Sequence, residues 1–434
     1  MATGIYIHIP FCVRKCVYCD FLSFEIGEPT PPLQKNFNFY VAKVIAELKD
    51  ARAHQIFAGG VDTVYIGGGT PTALPAPFLC EILGAVREFP LLDGAEITVE
   101  ANPGTVDFAY LSTLKEAGVT RLSFGLQATQ ENLLRGLGRV HSMADFTANF
   151  RAAREAGFDN INVDLMFALP AQTLQDWQDT LAEIVALSPQ HISAYSLTPA
   201  ENTPLFAAIE SGKTILPDDE TDRTMYHYAR RFLASAGYAH YEISNFAKHG
   251  FESQHNINCW TMKPYIGFGL GAHSFDGNTR WHNPETMAEY LSSTPKLKSF
   301  FVEGGSGGDP FFSKKGSPPE NLSCPPDCNL CVKSCPTGAL GGVGLDAARC
   351  ISYLTQKEEL SEEEEKMLFG QLYGCDICQN VCPFNKKRKV ATVNVKEWIE
   401  MSDADFRDKY GHSAMLWRGT EVLKRNAKAI LKRL

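Results

Sequence analysis

No apolar run in this sequence of 434 residues approaches the roughly 18 to 20 residues that a bilayer span requires. The N-terminal stretch MATGIYIHIP also lacks the basic segment and apolar core of a secretory signal. No internal repeat is visible, which excludes a protein built from tandem repeats. We therefore predict a cytoplasmic protein without a membrane span.

The composition is that of a globular protein with more than one domain. Hydrophobic residues make up 44% of the chain and charged residues 21%, which excludes a wholly disordered, collagen-like or coiled-coil chain. At roughly 150 residues per domain, the length predicts two or three domains. The segment before Lys296 carries 20 basic and 32 acidic residues, whereas the segment from Lys296 onward carries 21 and 18. Two segments of different composition are therefore joined.

Short apolar runs alternate with longer amphipathic segments such as 36–58, 76–89 and 174–187 in the first 200 residues. This recurring βα unit predicts a partial (β/α)6 barrel, with its chemistry at the C-terminal ends of the strands. A helix over 218–236 and a region rich in His and Asn over 241–282 are predicted to close its open side. The six predicted parallel strands are YIHIP (6–10), TVYIGGG (63–69), EITVEAN (96–102), RLSFGLQ (121–127), INVDLMFALP (161–170) and HISAYSLT (191–198).

The rest of the chain divides by composition into a cysteine-rich part and a basic part. Ser361 with Glu364 predicts a capped helix start in the cysteine-rich part. The predicted domains are a barrel core over 1–240, a second region over 241–295, a linker or fusion seam over 296–323, a cysteine-rich domain over 324–385 and a basic helical tail over 386–434.

Eleven of the 13 cysteines fall in clusters, which favours metal or iron–sulfur ligation over disulfides in a chain without an export signal. The first cluster is Cys12, Cys16 and Cys19, with no fourth ligand nearby. A structural zinc site uses four ligands, whereas a [4Fe–4S] cluster on three cysteines keeps one iron open. That iron suits chelation by S-adenosylmethionine, which an electron from the cluster can cleave. Zinc binding or plain packing is the alternative.

Further polar residues gather at the same predicted rim. The segment GGGTP (67–71) is typical either of backbone that a ligand approaches closely or of a tight turn. Glu100, Gln127, Arg139 and Asp164 follow at or just past the ends of the next three strands. Each alone could be a surface charge or a helix cap, but together they indicate a ligand site.

These motifs resemble the radical S-adenosylmethionine (radical SAM) proteins related to oxygen-independent coproporphyrinogen III oxidase, and within them the HemW-type haem chaperones. The resemblance covers about 4–290 and rests on YIHIPFCVRKCVYCDF, YIGGGTPT, EANPGT, GLQ, LGRVH, INVDLMFALP, YEISNFAK and YIGFGLGAHSF. It implies bound haem, a haem-acceptor protein and an electron donor such as flavodoxin or ferredoxin. The candidate S-adenosylmethionine-binding residues are then Tyr6, Tyr18, Gly67, Gly68, Thr70, Glu100, Gln127, Arg139 and Asp164.

Two departures bear on the branch of this family. The oxidase resembles this chain less, because it has another cysteine where Phe21 stands here and a longer N-terminal extension. An oxidase-like oxidoreductase is therefore the disfavoured alternative. The chaperone branch has His-Asn, two residues and Tyr-Trp, whereas HNINCW has Cys259 in place of the tyrosine. His255 is a candidate haem contact, and a His–Asn loop packed under the barrel is the other interpretation.

The second cysteine cluster predicts two more [4Fe–4S] clusters, three in all, with two zinc sites as the alternative. In two-cluster ferredoxin-like modules, the cysteine before proline ligates the other cluster. We therefore assign Cys324, Cys328, Cys331 and Cys382 to one cluster and Cys335, Cys350, Cys375 and Cys378 to the other. The fold prediction is thus the barrel followed by a small α-rich ferredoxin-like domain and a helical tail.

Residues 322–434 resemble the iron–sulfur half of epoxyqueuosine reductase, through CVKSCPTGAL, LDAARCISYLT, GCDICQNVCPFN and FRDKYGHSAMLWRGTEVLKRNAKAIL. The cobalamin and substrate domain of that family is absent. What is left implies electron transfer, and a basic tail predicts either contact with tRNA phosphates or a solvated helical face. The basic residues are KKRK (386–389), Lys424, Arg425, Lys428, Lys432 and Arg433.

Three hypotheses follow from the sequence. The first is a radical SAM haem chaperone with an appended electron-transfer module. The second is a non-enzymatic haem-delivery protein that binds S-adenosylmethionine but hardly cleaves it. The third is a non-functional junction of two truncated genes.

Overall fold

The computed structural model describes residues 2–27, 31–54, 56–293, 328–341, 344–357, 359–383, 395–410 and 419–432. The chain divides into two compact units, Met1–Gly307 and Gly308–Leu434. In the described part of the chain, no helix is both long enough and apolar enough to cross a membrane.

An 11-stranded sheet forms the centre of the first unit. Its order is β13-β12-β11-β1-β4-β5-β6-β7-β8-β10-β9, and the six strands from β1 to β8 in this order are parallel. Each of the six predicted strands overlaps one of these six, so all six predictions are confirmed. The strands are β1 (Gly4–Ile9), β2 (Phe11–Cys12), β3 (Phe24–Glu25), β4 (Val61–Gly68), β5 (Leu91–Ala101), β6 (Arg121–Gln127), β7 (Asn160–Phe167), β8 (His191–Ser196), β9 (Ala239–His240), β10 (Asn245–Ala247), β11 (Tyr265–Phe268), β12 (His273–Phe275) and β13 (Arg280–His282).

Helices connect the parallel strands, as the alternating pattern predicts. The predicted helical segments overlap α1, α2, α6 and α8. Ser142 and Thr173 begin α5 and α6 with capping boxes, which satisfy backbone N–H groups that a helix start leaves unpaired. The helices are α1 (Pro31–Ala53), α2 (Ala76–Val86), α3 (Phe108–Glu116), α4 (Glu131–Gly136), α5 (Met143–Glu155), α6 (Leu174–Ala186), α7 (Pro204–Glu210), α8 (Asp219–Ser235), α9 (Gln254–Trp260) and α10 (Met287–Ser292).

The two faces of the parallel strands differ in chemistry. Ile5, Ile7 and Ile9 of β1 are fully buried and belong to the main apolar core with side chains of α1. Alternate residues of a strand point to opposite faces, so Tyr6 and His8 lie on the inner face. The inner face is polar across several strands, because the side chains of Ser123, Asn162, Asp164 and His191 are joined by hydrogen bonds there. The core therefore lies under the helices, and the inner face is left for polar groups.

The region 241–282 does not close the barrel, and that prediction is wrong. Its strand β11 pairs in parallel with β1, and β10 pairs antiparallel with β8, so the region extends both edges of the sheet. In the described residues the strand order ends at β13 on one side and at β9 on the other. The added strands satisfy the backbone N–H and C=O groups that β1 and β8 would otherwise present at open edges.

The second unit consists of short helices around small apolar clusters. The predicted helix start at Ser361 is confirmed, because Ser361 and Glu364 form a capping box. One cluster contains Leu354, Leu368 and Ala429, and another contains Trp398, Phe406 and Leu423. The described elements are the helices Leu330–Ser334, Ile351–Leu354, Glu362–Lys366, Ile377–Asn380, Val395–Glu400, Asp403–Tyr410 and Thr420–Leu431, and the strands β14 (Leu340–Gly341) and β15 (Gly344–Leu345).

Candidate functional site

The first cysteine motif lies at the C-terminal rim of the parallel sheet. Cys12 is in β2, directly after β1, and Cys16 and Cys19 lie in the loop between β2 and β3. The parallel pairing of β2 with β3 holds the two ends of this loop together. All three thiols are free; Cys12 is buried, and Cys16 and Cys19 are half-buried. This is the rim at which the sequence places the chemistry.

Two polar side chains from distant parts of the chain contact these sulfurs. The Thr70 hydroxyl donates to Cys12 Sγ at 3.5 Å, and Arg139 Nη1 donates to Cys16 Sγ at 3.5 Å. Burial raises the pKa of the Cys12 thiol, and the hydrogen bond from Thr70 opposes that rise. The rim thus supplies hydrogen-bond donors and a positive charge to the cysteine motif, and both act against the effect of burial on the thiols.

The amide of Asn102 joins these two donors. Its Nδ2 donates to Thr70 Oγ1 at 2.7 Å, and its Oδ1 accepts from Arg139 Nη2 at 2.7 Å. Asn102 is absent from the residues predicted from the sequence. It stands two positions after Glu100 in EANPGT, a motif that the sequence analysis names without assigning a role to this residue.

The glycines of the second strand end are needed for packing of the rim itself. A Cβ at Gly67 would lie 2.8 Å from the Glu100 carboxyl, and one at Gly68 would lie 2.5 Å from the His8 ring. Gly68 also has φ of 110°, which side chains disfavour. These positions therefore require glycine because the protein's own side chains approach them; contact with S-adenosylmethionine stays a prediction for both.

Two of the predicted residues, Glu100 and Tyr6, both contact Tyr65, and the carboxyl group of Glu100 is half-buried. Glu100 accepts from the Tyr65 hydroxyl at 2.7 Å and from the Gly68 N–H at 3.2 Å. Burial, aided by the nearby Asp164 charge, raises the pKa of Glu100 to about 7. Tyr6 stacks on Tyr65 with ring centroids 6.4 Å apart, and burial raises the pKa of Tyr6 above its usual value. Tyr65 is not among the residues predicted from the sequence, although it lies two positions before Gly67 on β4 and therefore on the same face.

The other predicted rim residues are Gln127, Asp164 and Tyr18, and each has different neighbours. Gln127 ends β6 with φ of 76°, where the register between β6 and β7 shifts. Asp164 accepts from the Ser123 hydroxyl at 2.9 Å and from Asn162 Nδ2 at 2.8 Å. Burial raises the pKa of Tyr18, whose charged neighbours include Arg139 and the motif cysteines.

The chemistry of the rim fits a [4Fe–4S] cluster on three cysteines. Three free thiols lie in one loop, and two donors already face their sulfurs. Arg139 Nε is buried without a hydrogen-bond partner, so one donor of this positive group is left for a ligand at the rim. In the described residues, no three His, Cys, Asp or Glu side chains are already arranged as a metal site. The cysteine spacing, the free thiols and the donors that face their sulfurs therefore support Cys12, Cys16 and Cys19 as the cluster ligands.

His255 lies away from this rim, near the starts of the strands. It is 6% exposed, and its Nδ1 is 2.9 Å from Thr63 Oγ1, in the first half of β4. Its ring stacks on Tyr65 at a centroid distance of 5.2 Å, and its backbone N–H donates to Glu96. Burial lowers the pKa of His255 to about 4. This placement corresponds to the packed-loop interpretation, and haem contact through His255 would require α9 to move.

The cysteines of the second unit are free and half-buried where they are described. Burial raises the pKa of Cys375, and the charges of Cys378, Cys350 and Cys335 add to that rise. These four residues are the set that the sequence assigns to one cluster. The other predicted set includes Cys324, which lies outside the described residues.

Several residues of the predicted basic tail have partners within the second unit. Lys424 pairs with Asp403 at 2.6 Å, and Lys432 pairs with Glu365 at 3.3 Å. Arg425 donates to the carbonyl oxygen of Lys357. Residues 386–389 and Arg433 lie outside the described residues. These contacts reduce the positive charge that Lys424 and Lys432 offer to a nucleic acid.

Comparison with known proteins gives the class of the first unit. A family model of the radical SAM superfamily matches residues 6–184, and a model of a 4Fe–4S double cluster binding domain matches residues 324–385. The solved structure of coproporphyrinogen III oxidase (HemN) from Escherichia coli is similar at 25% identity and a TM-score of 0.57, covering 67% of this chain and 68% of that chain. The chain thus combines a radical SAM domain with a double-cluster domain.

A curated relative identifies the family within the radical SAM superfamily. The chain is 39% identical over 288 residues to the heme chaperone HemW of Bacillus subtilis (strain 168), covering 66% of this chain and 74% of the relative. The chain belongs to the HemW family of radical SAM proteins. The solved epoxyqueuosine reductase from Bacillus subtilis is similar at 35% identity over 26% of this chain and 33% of that chain, with a TM-score of 0.23. The resemblance of 322–434 to that family stays a prediction.

Proposed function

We propose that this protein is a haem chaperone that holds a [4Fe–4S] cluster on Cys12, Cys16 and Cys19, binds S-adenosylmethionine and haem, and delivers haem to an acceptor protein. The observation that carries the proposal is the similarity to HemW over 74% of that relative's length. The radical SAM family model, which matches residues 6–184, spans the whole cysteine motif and most of its rim. A cytoplasmic location and an external electron donor, such as flavodoxin or ferredoxin, belong to the same proposal.

The rim residues would hold and orient S-adenosylmethionine. When bound, the cluster supplies an open iron for chelation and an electron to S-adenosylmethionine. The Glu100 and Asp164 carboxyl groups lie on the inner face of the sheet and can accept hydrogen bonds from hydroxyl groups of a ligand. Arg139 keeps positive charge beside the thiolates, and Thr70 donates to Cys12.

The second unit would carry two further [4Fe–4S] clusters and pass electrons. The match of 324–385 to a double-cluster domain supports this part. The charges of Cys335, Cys350 and Cys378 all contribute to the raised pKa of Cys375, which supports the assignment of these four residues to one cluster. Contact of the basic tail with tRNA is the weakest part of the proposal, because two of its lysines are already paired with acidic side chains.

One anaerobic experiment tests the central function. The reconstituted full chain is titrated with haem and followed by absorbance, then mixed with a haem-free acceptor protein, while 5′-deoxyadenosine is measured with and without a reductant. Stoichiometric haem binding and transfer to the acceptor support a chaperone. If the chain binds haem but does not transfer it to the acceptor, or does not bind haem at all, the chaperone function is contradicted.

The same samples separate the alternatives. Conversion of coproporphyrinogen III to protoporphyrinogen IX would favour the oxidase-like alternative, which the Phe21 substitution disfavours. Little 5′-deoxyadenosine alongside haem transfer would identify a delivery protein that binds but hardly cleaves S-adenosylmethionine. Cys16→Ser is the matched variant for cluster-dependent steps, and Cys80→Ser is its control, because Cys80 is a half-buried thiol on α2 with no role in the proposal.

A further inference from the structure

We propose that Asn102 is a positioning residue that aims two hydrogen-bond donors at the sulfurs of the first cluster and thereby raises its reduction potential. This inference rests on the proposed function, since it assumes a cluster on the first cysteine motif. It assigns a role to a residue outside the candidate cofactor-binding set.

The contacts of Asn102 fix which way its amide points. Arg139 has only N–H donors, so the amide oxygen must face Arg139 and the NH2 group must face Thr70. The Thr70 oxygen therefore accepts from Asn102. The single hydroxyl proton of Thr70 is then left for Cys12 Sγ, 3.5 Å away. Asn102 thus sets the direction of the Thr70 hydroxyl.

The same amide sets the position of the guanidinium. Arg139 Nη2 donates both to Asn102 Oδ1 and to the Gly125 carbonyl oxygen, while Nη1 of the same planar group faces Cys16 Sγ. A Cβ at Gly125 would lie 2.7 Å from Asn102 Oδ1, so glycine is needed there for this arrangement. One amide therefore holds the donors to Cys12 and Cys16 together.

The backbone of Asn102 is itself held in place. Its carbonyl oxygen accepts from the Thr105 N–H at 3.1 Å and from the Thr105 hydroxyl at 2.6 Å. Asn102 also follows directly after β5, whose end is fixed by pairing with β6. The amide is therefore preorganised rather than free to follow its partners, as a positioning role requires.

Donors to cluster sulfurs favour the reduced form, which carries one more negative charge, and so raise the potential. Loss of one hydrogen bond to a charged group changes an equilibrium by about tenfold. For a one-electron couple, tenfold corresponds to about 59 mV. We therefore expect loss of the Asn102 amide to lower the potential of the first cluster by about this amount.

The test is a redox titration of the reconstituted full chain, in which the cluster is identified by the part of its EPR signal that changes when S-adenosylmethionine is added. Asn102→Leu removes both contacts. Asn102→Asp keeps an acceptor for Arg139 but cannot donate to Thr70, so the Thr70 hydroxyl turns toward the carboxylate and away from Cys12. At the potential that half-reduces the wild-type cluster, Asn102→Asp should raise the ratio of oxidised to reduced cluster about tenfold. Asn102→Leu, which loses both contacts, should raise it at least as much.

Asn149 provides a matched control. It accepts from the Gly104 N–H and donates to the Val106 carbonyl oxygen, both at 2.7 Å, so it supports the same turn without contacting Thr70 or Arg139. Asn149→Leu should lower the thermal stability but leave the potential unchanged. In a Thr70→Val background, Asn102→Asp should shift the potential by less than it does alone, because the Cys12 donor is already gone.

The outcomes separate this inference from the proposed function. If the wild-type chain gives no EPR signal that responds to S-adenosylmethionine, the cluster part of the proposed function fails and the inference fails with it. If the signal is present but both Asn102 variants keep the wild-type potential, only the inference is overturned. An equal shift in Asn149→Leu would also overturn it, since the effect would then come from the turn as a whole.

Discussion

The cysteines of the two units have differently built surroundings. In the first unit, Cys12 and Cys16 receive donors from Thr70 and Arg139, residues far apart in the sequence that a large sheet brings together. In the second unit, the Cys335 thiol contacts the hydroxyl of Thr337, only two residues away, and the apolar clusters of this unit contain few residues. A site built on a large core is preorganised, whereas a small domain gains much of its stability from the metal.

The largest expected effect is therefore on the second unit when iron is removed. After chelation, we expect 328–432 to lose most of its hydrogen-exchange protection, because two clusters would hold its short helices together. The central strands β4 to β7 should keep theirs. Hydrogen exchange followed by mass spectrometry on the full chain measures both, and equal protection of the two units in the iron-free chain would contradict the comparison.

Removing one cysteine of the second unit should abolish one cluster. Cys375 lies close enough to Cys335, Cys350 and Cys378 for their charges to raise its pKa, so we expect about four fewer irons per chain in Cys375→Ser. The matched control is Cys80→Ser, which should leave the iron content unchanged. Iron and acid-labile sulfide per chain measure this, and an unchanged iron content in Cys375→Ser would show that the assignment is wrong.

A variant at His255 tests whether the end of the strands opposite the rim contributes to stability and not to haem binding. His255→Ala removes a buried ring, its hydrogen bond to Thr63 and its stacking on Tyr65, so we expect a loss of about 2–3 kcal/mol in the free energy of unfolding. The folded variant should keep the wild-type affinity for haem. Denaturant unfolding and a haem titration measure the two effects; a stable variant with weakened haem binding would restore His255 as a haem contact.

The smallest expected effect is the pH dependence that Glu100 gives to the free energy of unfolding. The pKa of Glu100 is raised to about 7 in the folded chain, above the ordinary 4.5, so the folded state binds more protons between these values. Stability should therefore be highest below about pH 4.5 for this group and fall as the pH rises to about 7, by about 2 kcal/mol after solvent screening of the half-buried carboxyl group is included. Glu100→Gln should flatten this slope. Unfolding midpoints at several pH values measure it, with Glu116→Gln as the control; an unchanged slope would mean that another group titrates.

The repeating fold was predictable because its signals are local. Each of the six parallel strands is a short run rich in apolar residues between amphipathic helices, because its outer face is buried under those helices. The cysteine motif and Glu100 were predictable for the same reason, since the end of a strand can be located from the sequence. The role of region 241–282 was not, because whether a strand closes a sheet or extends its edge depends on pairing between distant segments.

The sequence by itself determined the order of strands and helices, the cysteine motifs and the rim on which the first of them lies, because each depends on patterns a few residues long. Only the tertiary structure decided which side chains face the sulfurs. The Asn102 amide after β5 meets Thr70 after β4 and Arg139 after α4, and His255 is buried beside Thr63 although nearly 200 positions separate them. Such contacts depend on how strands pack and register, and no local pattern contains that information.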